Sequence, residues 1–387
     1  MAAPAPDSEL LRLTDLCVRC GLCLPHCPTY RIAREEGESP RGRIALAAAL
    51  AADGALKADA TLRRHLDQCL LCRACEQVCP AEVPFARIMS RARERLGPRR
   101  DRPLPYRLIL GLLARPRLWR LALALLHAGE RLGSSRLLAS LRLRPPLAIL
   151  PRLPPRWRPR RASDGAAVYL FEGCSTSRLA SDACRAAEAI LRRLGFRVLA
   201  AAKPHCCGAA LRHEGLLQPA ERLAKALHAA FPEPVPVLVL DSGCLEAVRN
   251  ALGERAQDIH TFLLAEDLPR RVRWKEGQVE ALLHQPCTLR AEPSARAAHD
   301  RLLASVPGLV LRALPERAHC CGAGGLQFLL ASPTSLRLRE ELDGAPEMPL
   351  ITANVGCRAW FTAGRFARSG SGRVYHPLES IAERIER

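Results

Sequence analysis

Cys17-Val18-Arg19-Cys20-Gly21-Leu22-Cys23-Leu24-Pro25-His26-Cys27-Pro28 and Cys69-Leu70-Leu71-Cys72-Arg73-Ala74-Cys75-Glu76-Gln77-Val78-Cys79-Pro80 share one pattern, CxxCxxCxxxCP. Three thiolates spaced by two residues wrap one corner of an iron–sulfur cube, and the fourth, redirected by its proline, reaches the other cube. The spacing therefore predicts crossed wiring. Cys17, Cys20, Cys23 and Cys79 hold one [4Fe-4S] cluster, and Cys69, Cys72, Cys75 and Cys27 hold the second. Structural zinc is the alternative use of CxxC pairs, but it needs neither a third evenly spaced cysteine nor a trailing proline.

Around these runs, residues 1–98 read as a helical domain. Arg41–Ala60 is alanine-rich with leucines at 46, 50 and 56, and Ala60–Gln68 leads as a second helix into the Cys69 run. About forty residues separate the runs, more than a compact two-cluster ferredoxin needs, so an α-helical ferredoxin-type domain is expected. Ser39-Pro40-Arg41-Gly42-Arg43 reads as a turn with solvated charge just outside a helix start.

The chain has 387 residues, 17 cysteines and a formal net charge of +19, enough length for two or three domains. Met1–Leu16 shows neither a basic start nor an apolar run, so the thiols are expected to be cytosolic metal ligands rather than disulfides. No apolar run approaches the roughly 18 residues of a membrane span. The charge is local: Arg91–Arg161 carries nineteen arginines against Glu94, Asp101 and Glu130. Within this connecting segment, 99–163, Tyr106–His127 reads as two short basic amphipathic helices divided by Pro116. Pro145, Pro146, Pro151, Pro154, Pro155 and Pro159 then make an extended linker. Docking of the leucine face on a partner subunit, or on an anionic membrane surface, suits such helices. No recognised nucleic-acid module frames the arginines, and no nucleic-acid partner is expected.

From residue 164 strands and helices alternate, and a repeat emerges. Cys174, Cys206, Cys207 and Cys244 are matched by Cys287, Cys320, Cys321 and Cys357 at offsets of 113, 114, 114 and 113 residues, with His205-Cys206-Cys207-Gly208 repeated as His319-Cys320-Cys321-Gly322. The first copy, 164–256, has strands at Ala166–Glu172, Phe196–Ala200 and Val235–Leu240. It has a helix from a Ser181 cap to Leu194, stopped by Gly195, and another at Pro219–Ala230. The second, 277–387, has strands at Val279–His284, Leu309–Leu314 and Leu350–Thr352. Each cysteine lies just past the C-terminal end of a strand, the edge where ligands gather in an open α/β sheet. These eight thiols admit a [4Fe-4S] cluster, a zinc ion or a dithiol–disulfide pair. Cys184 lacks a counterpart and reads as core packing. His205 and His319 read as cluster donors or as structural residues beside a tight turn. The fold class is thus α plus α/β: a two-cluster helical domain, then two tandem α/β CCG domains.

Tandem CxxCxxCxxxCP runs followed by two CCG copies resemble the iron–sulfur subunits of flavin-dependent 2-hydroxy-acid and glycerol-3-phosphate dehydrogenases, and the cluster-bearing subunit of heterodisulfide reductase. The glycolate oxidase iron–sulfur subunits are the most similar of these. Pro40-Arg41-Gly42-Arg43-Ile44, His65-Leu66-Asp67-Gln68-Cys69, Arg102-Pro103-Leu104-Pro105, Glu172-Gly173-Cys174, Pro286-Cys287-Thr288-Leu289, Thr352-Ala353-Asn354-Val355-Gly356-Cys357 and His376-Pro377 carry the resemblance over nearly the whole chain. It implies an electron-transfer subunit, cytoplasmic or peripheral on the inner membrane face. The subunit would take electrons from an FAD-containing partner oxidising glycolate or D-lactate and pass them to an acceptor such as quinone. One departure stands out: heterodisulfide-reductase-type copies end in CxxC, whereas Cys244 is followed by Ala247 and Cys357 by Trp360 at that place. The alternative implied is a thiol/disulfide reductase acting at the CCG cysteines. No dinucleotide fingerprint is present, since Gly322, Gly324 and Gly325 follow a cysteine pair rather than a strand. The organic oxidation is therefore expected on another chain.

Overall fold

A computed structural model describes residues 7–52, 59–97, 102–131, 156–159, 164–314, 320–342, 347–369 and 374–386. His319 and the prolines at 145, 146, 151, 154 and 155 lie outside the described residues.

The N-terminal region is helical: Ser8–Thr14, Pro40–Ala51, Ala60–Asp67 and Phe85–Arg95 pack around Leu10, Ala47, Leu66, Ile88 and Met89. Local chemistry starts three of them. The Asp7, Ser39 and Asp59 side chains accept hydrogen bonds from Leu10 N, Gly42 N and Leu62 N, satisfying amides that a helix start leaves open. Two short helices, Leu104–Leu113 and Pro116–Arg131, follow as the basic hairpin, broken at Pro116 where a missing N–H is tolerated at a first turn.

The C-terminal body holds two four-stranded parallel sheets of identical order. In the first, β1 (Ala166–Phe171), β2 (Phe196–Leu199), β3 (Val237–Val239) and β4 (Ala256–Asp258) lie as β2-β1-β3-β4. In the second, β5 (Val279–His284), β6 (Leu309–Ala313), β7 (Leu350–Thr352) and β8 (Val374–Tyr375) lie as β6-β5-β7-β8. The duplication read from the cysteines is thus a duplication of topology. β4 and β8 were not visible in sequence, being edge strands of three and two residues with little apolar patterning. Ser181 is the first residue of helix Ser181–Arg193, which follows Ala180 and has no side-chain cap. The helix expected over 219–230 is two, Leu217–Lys225 and Leu227–Ala230.

The copies exchange helices. Ile259–Ala265, which follows β4, packs on helix Pro293–Ala304 of the second copy, and Pro377–Arg384, which follows β8, packs on Ser181–Arg193 of the first. One apolar core consequently runs through both copies, with Leu191, Leu238 and Leu263 joined to Leu302 and Ile381. His376-Pro377 starts the exchanged helix: His376 Nδ1 accepts from Leu378 N at 3.2 Å, and its Nε2 donates to Leu240 O at 3.1 Å in the other copy. The carboxyl edges of the sheets meet through Ser242 N donating to Ala353 O (3.0 Å) and the Ser242 and Thr288 hydroxyls 2.8 Å apart.

Candidate iron–sulfur and thiol centres

Two hollows open in the N-terminal region, of about 470 and 300 Å³, part of it open to solvent. Cys17, Cys20, Cys23 and Cys79 line the first, and Cys27, Cys69 and Cys72 line the second. Cys75, Pro40 and Phe85 line both, so the two spaces share a wall.

The backbone repeats as well as the thiols. Arg19 (φ 56°) and Gly21 (φ 87°) match Leu71 (φ 48°) and Arg73 (φ 59°), flanking the second cysteine of each run. Three of these four left-handed residues carry a Cβ, which costs on the order of 1–2 kcal/mol each. Such strain persists where the surroundings impose it, and it turns successive amides inward as an anion-binding concavity. Leu71 N already points at Cys69 Sγ, 3.4 Å away. The donor set, four thiols per hollow lined by strained amide-presenting loops, fits an anionic iron–sulfur cluster.

The two hollows differ in depth. Cys20 is exposed and Cys17, Cys23 and Cys79 are half-buried, whereas Cys27, Cys69, Cys72 and Cys75 are all buried. Burial, then the neighbouring Cys72, Cys69 and Cys27, pushes the Cys75 thiol well up. Burial raises Cys27 too, opposed by the Arg43 charge. Cys72 goes the other way, to about 7, chiefly because Cys320 of the second CCG copy hydrogen-bonds to it.

Two buried arginines brace the inner run: Arg43, whose stretch reads as solvated charge in the sequence, and Arg93, which the sequence did not single out. Arg41 matches the reading of solvated charge, half-exposed and paired with Glu36. Arg43 does not: it is 1% exposed, ion-paired with Glu38, and donates to Thr29 Oγ1 (2.8 Å) and His65 O (2.8 Å). The Thr29 hydroxyl in turn lies 3.3 Å from Cys27 Sγ. Arg93, equally buried, donates to the carbonyls of Leu66 (2.9 Å) and Cys69 (2.5 Å), and to His213 O (2.6 Å) of the first CCG copy. The clue was available, since Arg93 follows Met89 by four on the apolar face of its helix.

In each CCG copy the glycine is dictated by geometry. Gly208 (φ 76°) and Gly322 (φ 84°) are left-handed, and a Cβ on them would stand 2.8 Å from Ala220 O and 2.6 Å from Ser335 O. This turn brings Cys207 to 3.2 Å from Cys244 and Cys321 to 3.0 Å from Cys357, sulfur to sulfur. The Cys206 thiol hydrogen-bonds with Cys174 and Cys207, and that of Cys320 with Cys287 and Cys72. Cys207 is held well below the ordinary thiol range by hydrogen bonds from Cys206 and Cys244. Burial, with the Cys207 charge adding, lifts Asp241 beside them to about 7. His205 sits between Phe171 and Phe231 with Nδ1 on Lys203 O, a structural role. Cys184 is fully buried in the shared core, as expected. His284, at the end of β5, was not foreseen; burial drives its pKa down to about 3, so the imidazole is neutral.

The basic hairpin is not free. Tyr106, Leu110 and Leu113 pack over Cys206 and Leu211, Trp119 Nε1 donates to Ser175 Oγ (3.2 Å), and Arg120 pairs with Glu172 (2.9 Å). Arg156 also pairs with Glu172, and Trp157 is buried with Nε1 on Glu188 (2.9 Å). The inner leucine face thus docks on the chain's own first CCG copy, not on a partner.

Residues 14–83 match the 4Fe-4S dicluster domain, and residues 168–249 and 281–362 each match the cysteine-rich domain that carries the CCG motif. The chain thus joins one dicluster module to two copies of the cysteine-rich module. It is 29% identical to the glycolate oxidase iron-sulfur subunit of Escherichia coli K12, over 96% of this chain and 94% of that one. It is 27% identical to the probable glycolate oxidase iron-sulfur subunit of Bacillus subtilis 168, over 97% and 94%. Lactate utilization protein A of Geobacillus kaustophilus is 27% identical over 56% of this chain and 99% of its own length. Among the described residues no helix is long and apolar enough to cross a membrane.

Proposed function

We propose that the chain is the electron-transfer subunit of a complex that oxidises a 2-hydroxy acid, glycolate first and D-lactate second, working with an FAD-containing partner. The observation that carries this reading is the pair of cysteine-lined hollows with a common wall at Cys75 and Phe85. We assign Cys17, Cys20, Cys23 and Cys79 to the outer cluster and Cys69, Cys72, Cys75 and Cys27 to the inner one. Each cluster carries one electron, so the adjacent pair matches the two electrons that a hydroxy acid gives up. The protein's part is to fix the distance between them and to set their surroundings: exposed thiols and Arg41 outside, Arg43, Thr29 and Arg93 inside.

We further assign the outer face of the basic hairpin to an anionic membrane surface, where quinone would be the acceptor. Leu104, Leu108, Leu118, Leu121 and Leu125 are exposed there beside Arg107, Arg115 and Arg117, and residues 102–128 contain no acid. The decisive experiment mixes the anaerobically purified chain with its flavoprotein partner and glycolate. Bleaching of the cluster absorption should require both; oxidation of glycolate by this chain alone would refute the division of labour.

A thiol/disulfide reductase remains the second reading, because Cys207–Cys244 and Cys321–Cys357 are close thiol pairs at the sheet edges. Replacing Cys206 and Cys207 by serine separates the two. Loss of disulfide reduction with electron transfer from reduced flavoprotein intact would favour the reductase.

A further inference from the structure

The two CCG copies follow one plan until the last residue of their central strands. β1 ends at Phe171 and β5 at His284, which stand 113 residues apart and are therefore equivalent. Phe171 belongs to the apolar core of its copy. His284 occupies the same place as a buried polar group, 3% exposed, with its ring edge-on to Phe361. Its Nδ1 lies 2.9 Å from the hydroxyl of Thr352, on the neighbouring strand β7, while its Nε2 has no hydrogen-bond partner. Buried polar atoms are nearly always satisfied, so an unpartnered nitrogen asks what it faces. One ring nitrogen of His284 and the sulfurs of Cys321 and Cys357 all lie within 4.8 Å of one another. With Nδ1–H donated to Thr352, the lone pair left on Nε2 is the one free to ligate, and a hydroxyl in that position fixes tautomer and ring orientation as outer partners of metal-bound histidines do.

We infer that the second CCG copy binds a single zinc-class ion through His284 Nε2, Cys321 and Cys357, with Cys287 as fourth ligand, and that the first copy has no equivalent centre. A tetrahedral ion with Zn–S near 2.3 Å and Zn–N near 2.0 Å sets its ligand atoms roughly 3.5–3.8 Å apart, which this trio meets by small adjustments. Thiolates on different irons of a cube stand farther apart, because an iron–iron edge separates them. Among the described residues no trio of the N-terminal cysteines, nor of the first copy's, is as tight as this one. Three thiolates and one imidazole are a closed structural zinc set. Cys287 lies outside the tight trio, hydrogen-bonded to Cys320, and completes the set by turning from that partner to the ion. Cys320 stays outside the set, hydrogen-bonded to Cys287 and to Cys72 of the inner hollow. Zinc has no redox chemistry, so the ion would tie the end of β5, the Cys321 turn and the helix after β7 together without extending the electron path.

The test uses the full chain, purified anaerobically, with iron and zinc measured by mass spectrometry and the zinc environment by X-ray absorption. The expected result is one zinc per chain with three sulfurs and one nitrogen. His284→Phe, the residue of the first copy, should lose at least ten-fold in zinc affinity while iron content and cluster absorption stay unchanged. His284→Cys supplies a ligand of a different kind and should keep the zinc with four sulfurs, which separates lost ligation from lost folding. Absence of zinc from the wild-type chain, an all-sulfur shell in it, about four extra irons lost on Cys321→Ser, or a Cys321–Cys357 disulfide in the anaerobic protein would each overturn the assignment.

Discussion

The Cys17 and Cys69 runs have the same spacing and the same left-handed backbone positions, yet one faces solvent and the other is walled in by three parts of the chain. Around Cys20 the surroundings are a surface loop and the exposed Arg41–Glu36 pair. Around Cys69 and Cys72 they are Arg93, which ties the run to His213 of the first CCG copy, Gln327 of the second copy donating to Cys69 O at 3.2 Å, and Cys320 beside Cys72. Identical ligand spacing therefore fixes the cluster type and leaves its environment open. Potential and access follow from the environment, through hydrogen bonds to sulfur and solvent exposure. The outer hollow suits exchange of electrons with another molecule, and the inner one suits a junction on which the C-terminal body is assembled.

The comparison breaks first if the inner run is dispensable. Cys72→Ser should remove about four of about eight irons and also loosen the C-terminal body, seen as new protease cleavage between the N-terminal region and the CCG copies. Cys20→Ser should remove about four irons and leave the proteolysis pattern unchanged. Equal proteolysis in the two variants would mean that the inner run has no junction role.

Next in size is Arg93→Met, which removes the donor to the carbonyls of Leu66 and His213 and leaves Cys69 O to Gln327 alone. Buried acceptors without donors cost about 1–3 kcal/mol apiece, so a loss of about 3 kcal/mol in unfolding free energy is expected by denaturant titration. Arg43→Met should act comparably by leaving buried Glu38 without its cation. Arg41→Met, on the exposed pair, should not move the midpoint. A midpoint shift from Arg41 as large as from Arg93 would erase the distinction between the two hollows.

What the sequence disclosed and what it hid divide along the same line. Cysteine spacing and the 113-residue offset were legible because ligation and duplication leave fixed intervals, and β5 and β7 were read to their ends because apolar runs stop at a turn. Arg43, Arg93 and His284 were hidden for a different reason. Each is a polar residue placed where the pattern calls for an apolar one, and its meaning depends on partners tens to hundreds of residues away. The Ser39–Arg43 stretch shows the limit well: Arg41 and Arg43 look alike in sequence, and only packing puts one in water and the other under Cys27. The exchanged helices were equally illegible, since an amphipathic face does not say which copy it will cover.

The smallest expected effect concerns the hairpin that covers the first CCG copy. Its inner face is already spent on Cys206 and Leu211, so its outer leucines contribute little to folding. Leu118→Ser, Leu121→Ser and Leu125→Ser together should leave iron content and denaturant midpoint unchanged. They should abolish flotation of the chain with vesicles of anionic phospholipid, and binding of the unaltered chain should fall as salt rises, because each arginine near such a surface contributes about 1 kcal/mol that ions screen. Flotation that survives the triple substitution would separate membrane binding from this face.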